Sequence, residues 1–391
     1  MSELRRLGAL ATSVVGFGVA AVLVGIPAAA QAAGADTAFA SIPPASTGSM
    51  NLTAVSLKSA SDAWAVGVAF LNSDTVIATV AEHWNGTQWQ VTPTPSPTGN
   101  VDVLNGVADV SASDAWAVGY SQTADGTYSA LLEQWNGTRW TRVPGGTSAT
   151  SSSETLNAVT AVSPTDVWAV GEHFDSSLGG FVGLIEHFNG TAWSIVPNPD
   201  TYTSNGIEHV VGGYNTVAAT SGSDAWVASN SGVQSAVIEH WNGTAWSIAP
   251  TPPLAVLNGQ DVNTVAVNSL AATSANDVWA VGGTTGFGRR PPRNQLVEHW
   301  NGTSWSLVPA PAAGTAAPQA LSSVAALSPT DAWALGFQPG TATPALQHWD
   351  GTAWSTTATP GLSGVLTQLS AAQPRTLIAI GGTQAFLSTT S

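Results

Sequence analysis

The chain has 391 residues and a formal net charge of −15, with Lys+Arg 9 against Asp+Glu 24 and only 8% charged residues in all. That balance excludes a nucleic-acid or anionic-membrane ligand, both of which are held by dense basic side chains. There is no cysteine, so no disulfide, thiolate nucleophile or zinc–thiolate centre is available and the fold must hold by packing alone.

The chain opens with a short basic start ending in Arg5-Arg6, an apolar run over residues 7–26, and Pro27-Ala28-Ala29-Ala30-Gln31-Ala32-Ala33. A basic start, an apolar centre and small residues in an Ala-x-Ala arrangement form a secretory signal peptide, expected over 1–33 and cleaved near Ala32. The apolar run is nearly long enough to span a membrane. The cleavage site falls just before the first strand phrase, which favours removal and a secreted product with no membrane anchor. The remaining residues, 34–391, read as one domain.

Two phrases then alternate along the whole chain. The first, Asp-x-Trp-x-x-Gly, begins at Asp62, Asp114, Asp166, Asp224, Asp277 and Asp331, with Ser229 for the glycine in the fourth copy. The second, Asn-Gly-Thr-x-Trp, closes at Trp89, Trp140, Trp193, Trp246, Trp305 and Trp354, with Asp350 for the asparagine in the last. All 17 tryptophans lie in these copies, so they read as repeated core positions. The aspartates recur every 52 to 58 residues, the length of a four-stranded blade rather than of a solenoid unit.

The third copy shows the strands. Residues 156–162 are small and β-branched, Ser163-Pro164-Thr165-Asp166 is turn chemistry, and Val167-Trp168-Ala169-Val170 is apolar on both faces, as a sandwiched strand should be. Leu184 to Phe188 follows, then Asn189-Gly190, expected to make a tight hairpin with both residues at positive φ. The fourth strand starts at Trp193 and stops at Pro197, as an edge strand does.

Six full copies leave a fragment at each end. Pro374 to Gly381 follows the phase of Pro329 to Gly336, and Ala385-Phe386-Leu387 makes a third strand, but no fourth follows. At the other end Thr37-Ala38-Phe39-Ala40-Ser41-Ile42-Pro43 matches the fourth-strand phrase, with Phe39 for the tryptophan. The fold expected is all-β: a seven-bladed β-propeller of four-stranded antiparallel blades whose last blade is closed by the N-terminal strand.

Among candidate functional residues, the recurrent histidines (His83, His187, His240, His299 and His348) lie on separate blades and cannot share a metal ion, so they read as structural, packed beside the hairpin. The repeated aspartates read as turn formers. Variation concentrates in the connections after the second and fourth strands, which emerge on one face, and that face is where a ligand is expected. On it lie Arg289, Arg290 and Arg293, suited to carboxylates and aromatic stacking, and Tyr202 and His209 in the long entry to the fourth copy. No spacing of carboxylates, histidines or glycines calls for acid/base, nucleophilic or phosphate chemistry, so no catalytic residue, metal or cofactor is expected.

The four-strand unit, with its glycine after the second strand and tryptophan opening the fourth, resembles the kelch and galactose-oxidase-like propellers. The wording Asp62-Ala63-Trp64-Ala65-Val66-Gly67 with Glu82 to Trp89 is similar to secreted tryptophan-rich repeat proteins of bacteria. The resemblance implies fold rather than activity, and an oxidase of that type would need a cysteine. The expectation is a monomeric, non-catalytic binding module with a glycan or an extracellular protein as partner. The alternative is an extracellular polysaccharide hydrolase or lyase working on the variable face.

Overall fold

A computed structural model of the chain describes residues 37–389 apart from 46–48, 72–75, 97–100, 147–150, 205, 230–231, 258, 288–292, 312–319 and 339–342; the expected leader lies outside these residues. No helix occurs among the described residues. Each copy of the two phrases forms a four-stranded antiparallel sheet; a parallel bridge from Ile77 to Val101 joins the first two of these, and Gly232–Val233 adds a fifth strand to the fifth. In the second sheet the strands are Val101–Ser111, Asp114–Gln122, Tyr128–Trp135 and Trp140–Arg142. Equivalent sheets lie within residues 50–92, 151–195, 214–249, 264–307 and 321–357. A further sheet is built from Gln368–Ala372, Thr376–Gly381 and Gln384–Thr389, and its outer strand is Phe39–Ser41 from the other end of the chain. The pairing is antiparallel, Phe39 opposite Ser388 and Ser41 opposite Phe386. These sheets are numbered first to seventh in the order of their first strands.

The hydrophobic clusters among the described residues each lie between two successive sheets. Trp64, Val66 and Ala81 of the first meet Leu104, Ala115 and Ala117 of the second. Phe39, Phe386 and Leu377 of the seventh meet Trp333 and Leu346 of the sixth. Ile378 and Ile380 of the seventh meet Leu52 and Leu57 of the first.

The phrase Asp-Ala-Trp-Ala-Val-Gly explains this nesting. In a strand, alternate side chains face opposite ways, so Trp64 and Val66 point at the second sheet while Ala63 and Ala65 point at the seventh. Large residues on one face and alanines on the other let neighbours interlock. Trp64 meets Trp135 and Trp140 with ring centroids 5.0 and 4.9 Å apart, and Trp168 meets Trp241 and Trp246 at 5.4 and 5.3 Å. The closing glycine is a close-approach position: a Cβ on Gly67 would stand 2.0 Å from the Asn51 carbonyl oxygen.

The hairpin between third and fourth strands departs from the expected two-residue turn. Only the glycine takes positive φ, as Gly190 does at +90°. Four residues form the loop, and Asn189 Oδ1 accepts bonds from Thr191 N–H, Thr191 Oγ1 and Ala192 N–H at 3.0, 2.7 and 3.1 Å. The asparagine therefore acts through its side chain, an Asx turn, rather than through left-handed backbone.

The first strands carry a second recurrent device. Thr53, Asn105, Asn157, Asn215 and Asn268 each occupy a β-bulge, where the register with the second strand slips by one residue. A bulge re-aims its extra side chain, and here it reaches the next sheet. Asn105 Nδ2 donates to the Leu156 carbonyl at 2.9 Å, Asn157 Nδ2 to Tyr214 at 3.0 Å and Asn268 Nδ2 to Leu321 at 2.8 Å. Thr53 Oγ1 does the same to Leu104 at 2.6 Å.

Candidate functional site

The recurrent histidines and aspartates pair with each other. His83 Nε2 lies 2.7 Å from Asp62 Oδ1, and the same pair forms at His187–Asp166, His240–Asp224, His299–Asp277 and His348–Asp331. Each imidazole also lies on the second-strand tryptophan of its own sheet, for example His240 on Trp226 at 4.0 Å. Burial pushes the carboxyls of Asp224 and Asp277 up, but their histidines and a threonine hydroxyl outweigh it and hold them below the usual range. Both groups are thus committed to the hairpin end of the sheet. The aspartate's chief side-chain partner is the third-strand histidine, which sequence spacing alone did not reveal.

The opposite face carries the variable connections, and aromatic cross-strand pairs stand at the strand ends there. Tyr120 and Tyr128 meet edge-to-face at 5.3 Å on the second sheet, and Phe174 and Phe181 at 5.5 Å on the third. Phe181 is 42% exposed and Phe287, on the fifth sheet's connection, 60%. Asp175, in the variable loop of the third sheet, is spent locally: its Oδ1 accepts from Ser177 N–H at 2.7 Å and Leu178 N–H at 3.0 Å.

Between the third and fourth sheets a hairpin of Thr201–Ser204 and Ile207–Val210 sets Tyr202 opposite His209, rings 5.2 Å apart and stacked. Tyr202 is buried, and its hydroxyl oxygen accepts the Val233 N–H at 3.0 Å while Ser204 Oγ donates to the Val233 carbonyl at 2.9 Å. Tyr202 is therefore a positioning residue that ties the hairpin to the fourth sheet's variable connection, and His209 is the more open of the two. Val233 pairs with Thr264, Thr264 with Thr285, and Thr285 with Arg293. At about 4.8 Å per strand this sets the Arg293 backbone roughly 14 Å from Val233, on the same face. Arg289 and Arg290 lie outside the described residues. A groove of about 440 Å³ runs between the hairpin and the outer edge of the fourth sheet, lined by Thr201, Tyr202, Thr203, Val237, Ile248 and Pro250 among others.

A second cavity, about 200 Å³, is lined by the first strands of all the sheets, including Asn105, Asn157, Asn215, Asn268, Ser323 and Gln368. Among the described residues no charged side chain lines it.

Sequence reasoning missed a set of buried glutamates in the third strands. Glu82, Glu133, Glu186, Glu239 and Glu298 are fully buried, with Gln347 at the equivalent place in the sixth sheet. Glu82 accepts the Ala45 N–H at 3.0 Å and Glu186 the Gly146 N–H at 2.7 Å, each from the connection arriving from the preceding sheet. Glu239 accepts from the Tyr214 hydroxyl at 2.5 Å. Burial pushes the carboxyls of Glu133, Glu239 and Glu298 up to about 8 and that of Glu186 to about 7. Their recurrence directly after an apolar residue and before the histidine, as in Ala81-Glu82-His83-Trp84, was the available signal. They are spaced one per sheet.

No known family profile matches the chain, and no curated protein sequence matches it. Solved structures do. The extracellular domain of the one-component system BT4673 from B. thetaiotaomicron matches 90% of the chain at 13% identity and a TM-score of 0.52, and the chain spans 40% of that domain. A streptogramin B lyase matches 90% of the chain and 97% of its own length at 11% identity, TM-score 0.54. The Pan2 WD40 domain of Neurospora crassa matches 91% of the chain and 95% of its own length at 11% identity, TM-score 0.52. The fold is of the β-propeller type.

Proposed function

We propose that the chain is a secreted, monomeric, non-catalytic binding module: a leader over 1–33, then a closed, kelch-like seven-bladed propeller over 34–391 whose variable face takes a glycan. Closure is supported by the packing of the seventh sheet on the first, where Leu57 N–H donates to Ser370 Oγ at 3.0 Å and Leu52 N–H to the Gly382 carbonyl at 2.8 Å. The observation that carries the ligand class is the set of part-exposed aromatic pairs, Tyr120/Tyr128 and Phe174/Phe181, together with the exposed Phe287 and, separately, a groove lined by Thr201, Thr203 and Thr251. Flat apolar rings interspersed with a few neutral hydrogen-bonding groups fit sugar rings and their hydroxyls. Arg289, Arg290 and Arg293 are proposed to add a carboxylate or aromatic contact on this face.

A polysaccharide hydrolase or lyase working on the variable face is the second reading. A glycan array combined with product-release assays on the bound polysaccharides separates the two. Retention without turnover, weakened about tenfold by Phe181→Ala, is the expected result. Turnover would establish the enzyme, and no retention of any glycan would refute the ligand class.

A further inference from the structure

The amides that cross between first strands leave the oxygen and one N–H of each side chain outside the crossing bond. A backbone carbonyl only accepts, so the atom of Asn105, Asn157 and Asn268 facing Leu156, Tyr214 and Leu321 must be the nitrogen. That fixes Oδ1 as the remaining atom of each amide, and all three residues line the 200 Å³ cavity, joined by Asn215. The lining thus offers neutral amide oxygens alongside the second amide N–H groups, and among the described residues no cationic side chain lines it, inside a chain of net charge −15. At about 30 Å³ per water, the cavity holds roughly six or seven water-sized groups.

We propose that this cavity binds a monovalent cation of potassium size, coordinated by the asparagine Oδ1 atoms directly or through water. Calcium and magnesium are drawn by carboxylates, and none lines the cavity. Rings of neutral carbonyl-type oxygens are the arrangement that replaces the hydration shell of a weakly hydrated monovalent ion. The site is independent of the glycan reading, since none of its residues belongs to the aromatic face.

The first sheet supplies the control. Thr53 makes the same crossing bond without an amide oxygen, so Asn105→Thr/Asn157→Thr/Asn268→Thr keeps the inter-sheet bonds and removes the three amide oxygens, leaving hydroxyls committed to the crossing bond. Thermal unfolding is followed at one ionic strength in potassium chloride and in N-methylglucammonium chloride. Potassium is expected to raise the wild-type midpoint saturably, by about 2 °C at a concentration ten times its dissociation constant. The triple variant is expected to match wild type in N-methylglucammonium and to lose the potassium increment. Thallous-ion NMR on the wild type reads the site without any variant: a bound resonance displaced by potassium is expected. Equal wild-type midpoints in the two salts, no bound thallous resonance, or an undiminished increment in the triple variant would overturn the proposal.

Discussion

The tryptophan third in each second strand packs both within its own sheet and against the neighbouring one. Trp168 is fully buried, stacks on His187 at 4.1 Å within its own sheet and meets Trp241 and Trp246 of the next. Truncating it leaves a cavity lined by rigid rings that cannot collapse. Trp168→Ala is expected to cost about 3–5 kcal/mol, read as a lower denaturant midpoint with little change in slope. Trp241 is only partly buried and donates its indole N–H to the Gly222 carbonyl at 3.1 Å; Trp241→Ala should cost less than Trp168→Ala. The core role of these residues was legible from their constant phase. The histidine–aspartate bond was not, because Asp166 and His187 lie 21 residues apart and meet only once the second and third strands are in register. The Asn-Gly dipeptide pointed to the right place but the wrong geometry, since side-chain capping and left-handed backbone use the same residue types.

The third strands raise a question of pairing between neighbouring sheets. Ala45 and Gly146, which offer their N–H groups to Glu82 and Glu186, each stand six residues beyond the opening aromatic of the preceding fourth strand, Phe39 and Trp140. At the same place before Glu133 and Glu298 stand Pro95 and Pro252, which have no N–H to give. Both oxygens of each of these carboxyls are buried without a hydrogen-bond partner. Before Glu239 stands Pro199, and there Tyr214 provides the donor instead. Burial, with the Asp102 charge adding to it, pushes Glu133 up to about 8 in the folded chain. The unfolded chain titrates near 4.3, so between these values the folded state holds the extra proton. Stability is then fully present below about pH 4.3 and falls as pH rises to about 8. Glu133→Gln is expected to raise the thermal midpoint at about pH 8 by more than it does at about pH 5, because it replaces a carboxyl that must stay neutral with a group that always is. A midpoint difference independent of pH would remove Glu133 from this account. The alternation of proline with N–H donors was present in the sequence, but it acquires meaning only when a connection is seen to pass over the next sheet's third strand. The bulged asparagines escaped notice for a related reason: a bulge answers to the curvature of the sheet, not to local propensity.

At the scale of the whole molecule, stability rests on interfaces between sheets, since no cysteine cross-link exists and no single core lies at the centre. Three residues, Phe39–Ser41, complete the seventh sheet, and Phe39 shares a cluster with Trp333 and Phe386. This arrangement was readable because Thr37 to Pro43 carries the fourth-strand phrase in the absence of its own blade. The variable face was readable only as a location: Arg289 and Arg290 lie outside the described residues, and Tyr202 both lines the groove and bonds to Val233. The direct test of ring closure is the thermal midpoint of a chain lacking residues 37–43. The account predicts a fall of about 5 °C or more, partly restored by adding a synthetic peptide of that segment in trans; an unchanged midpoint would contradict it.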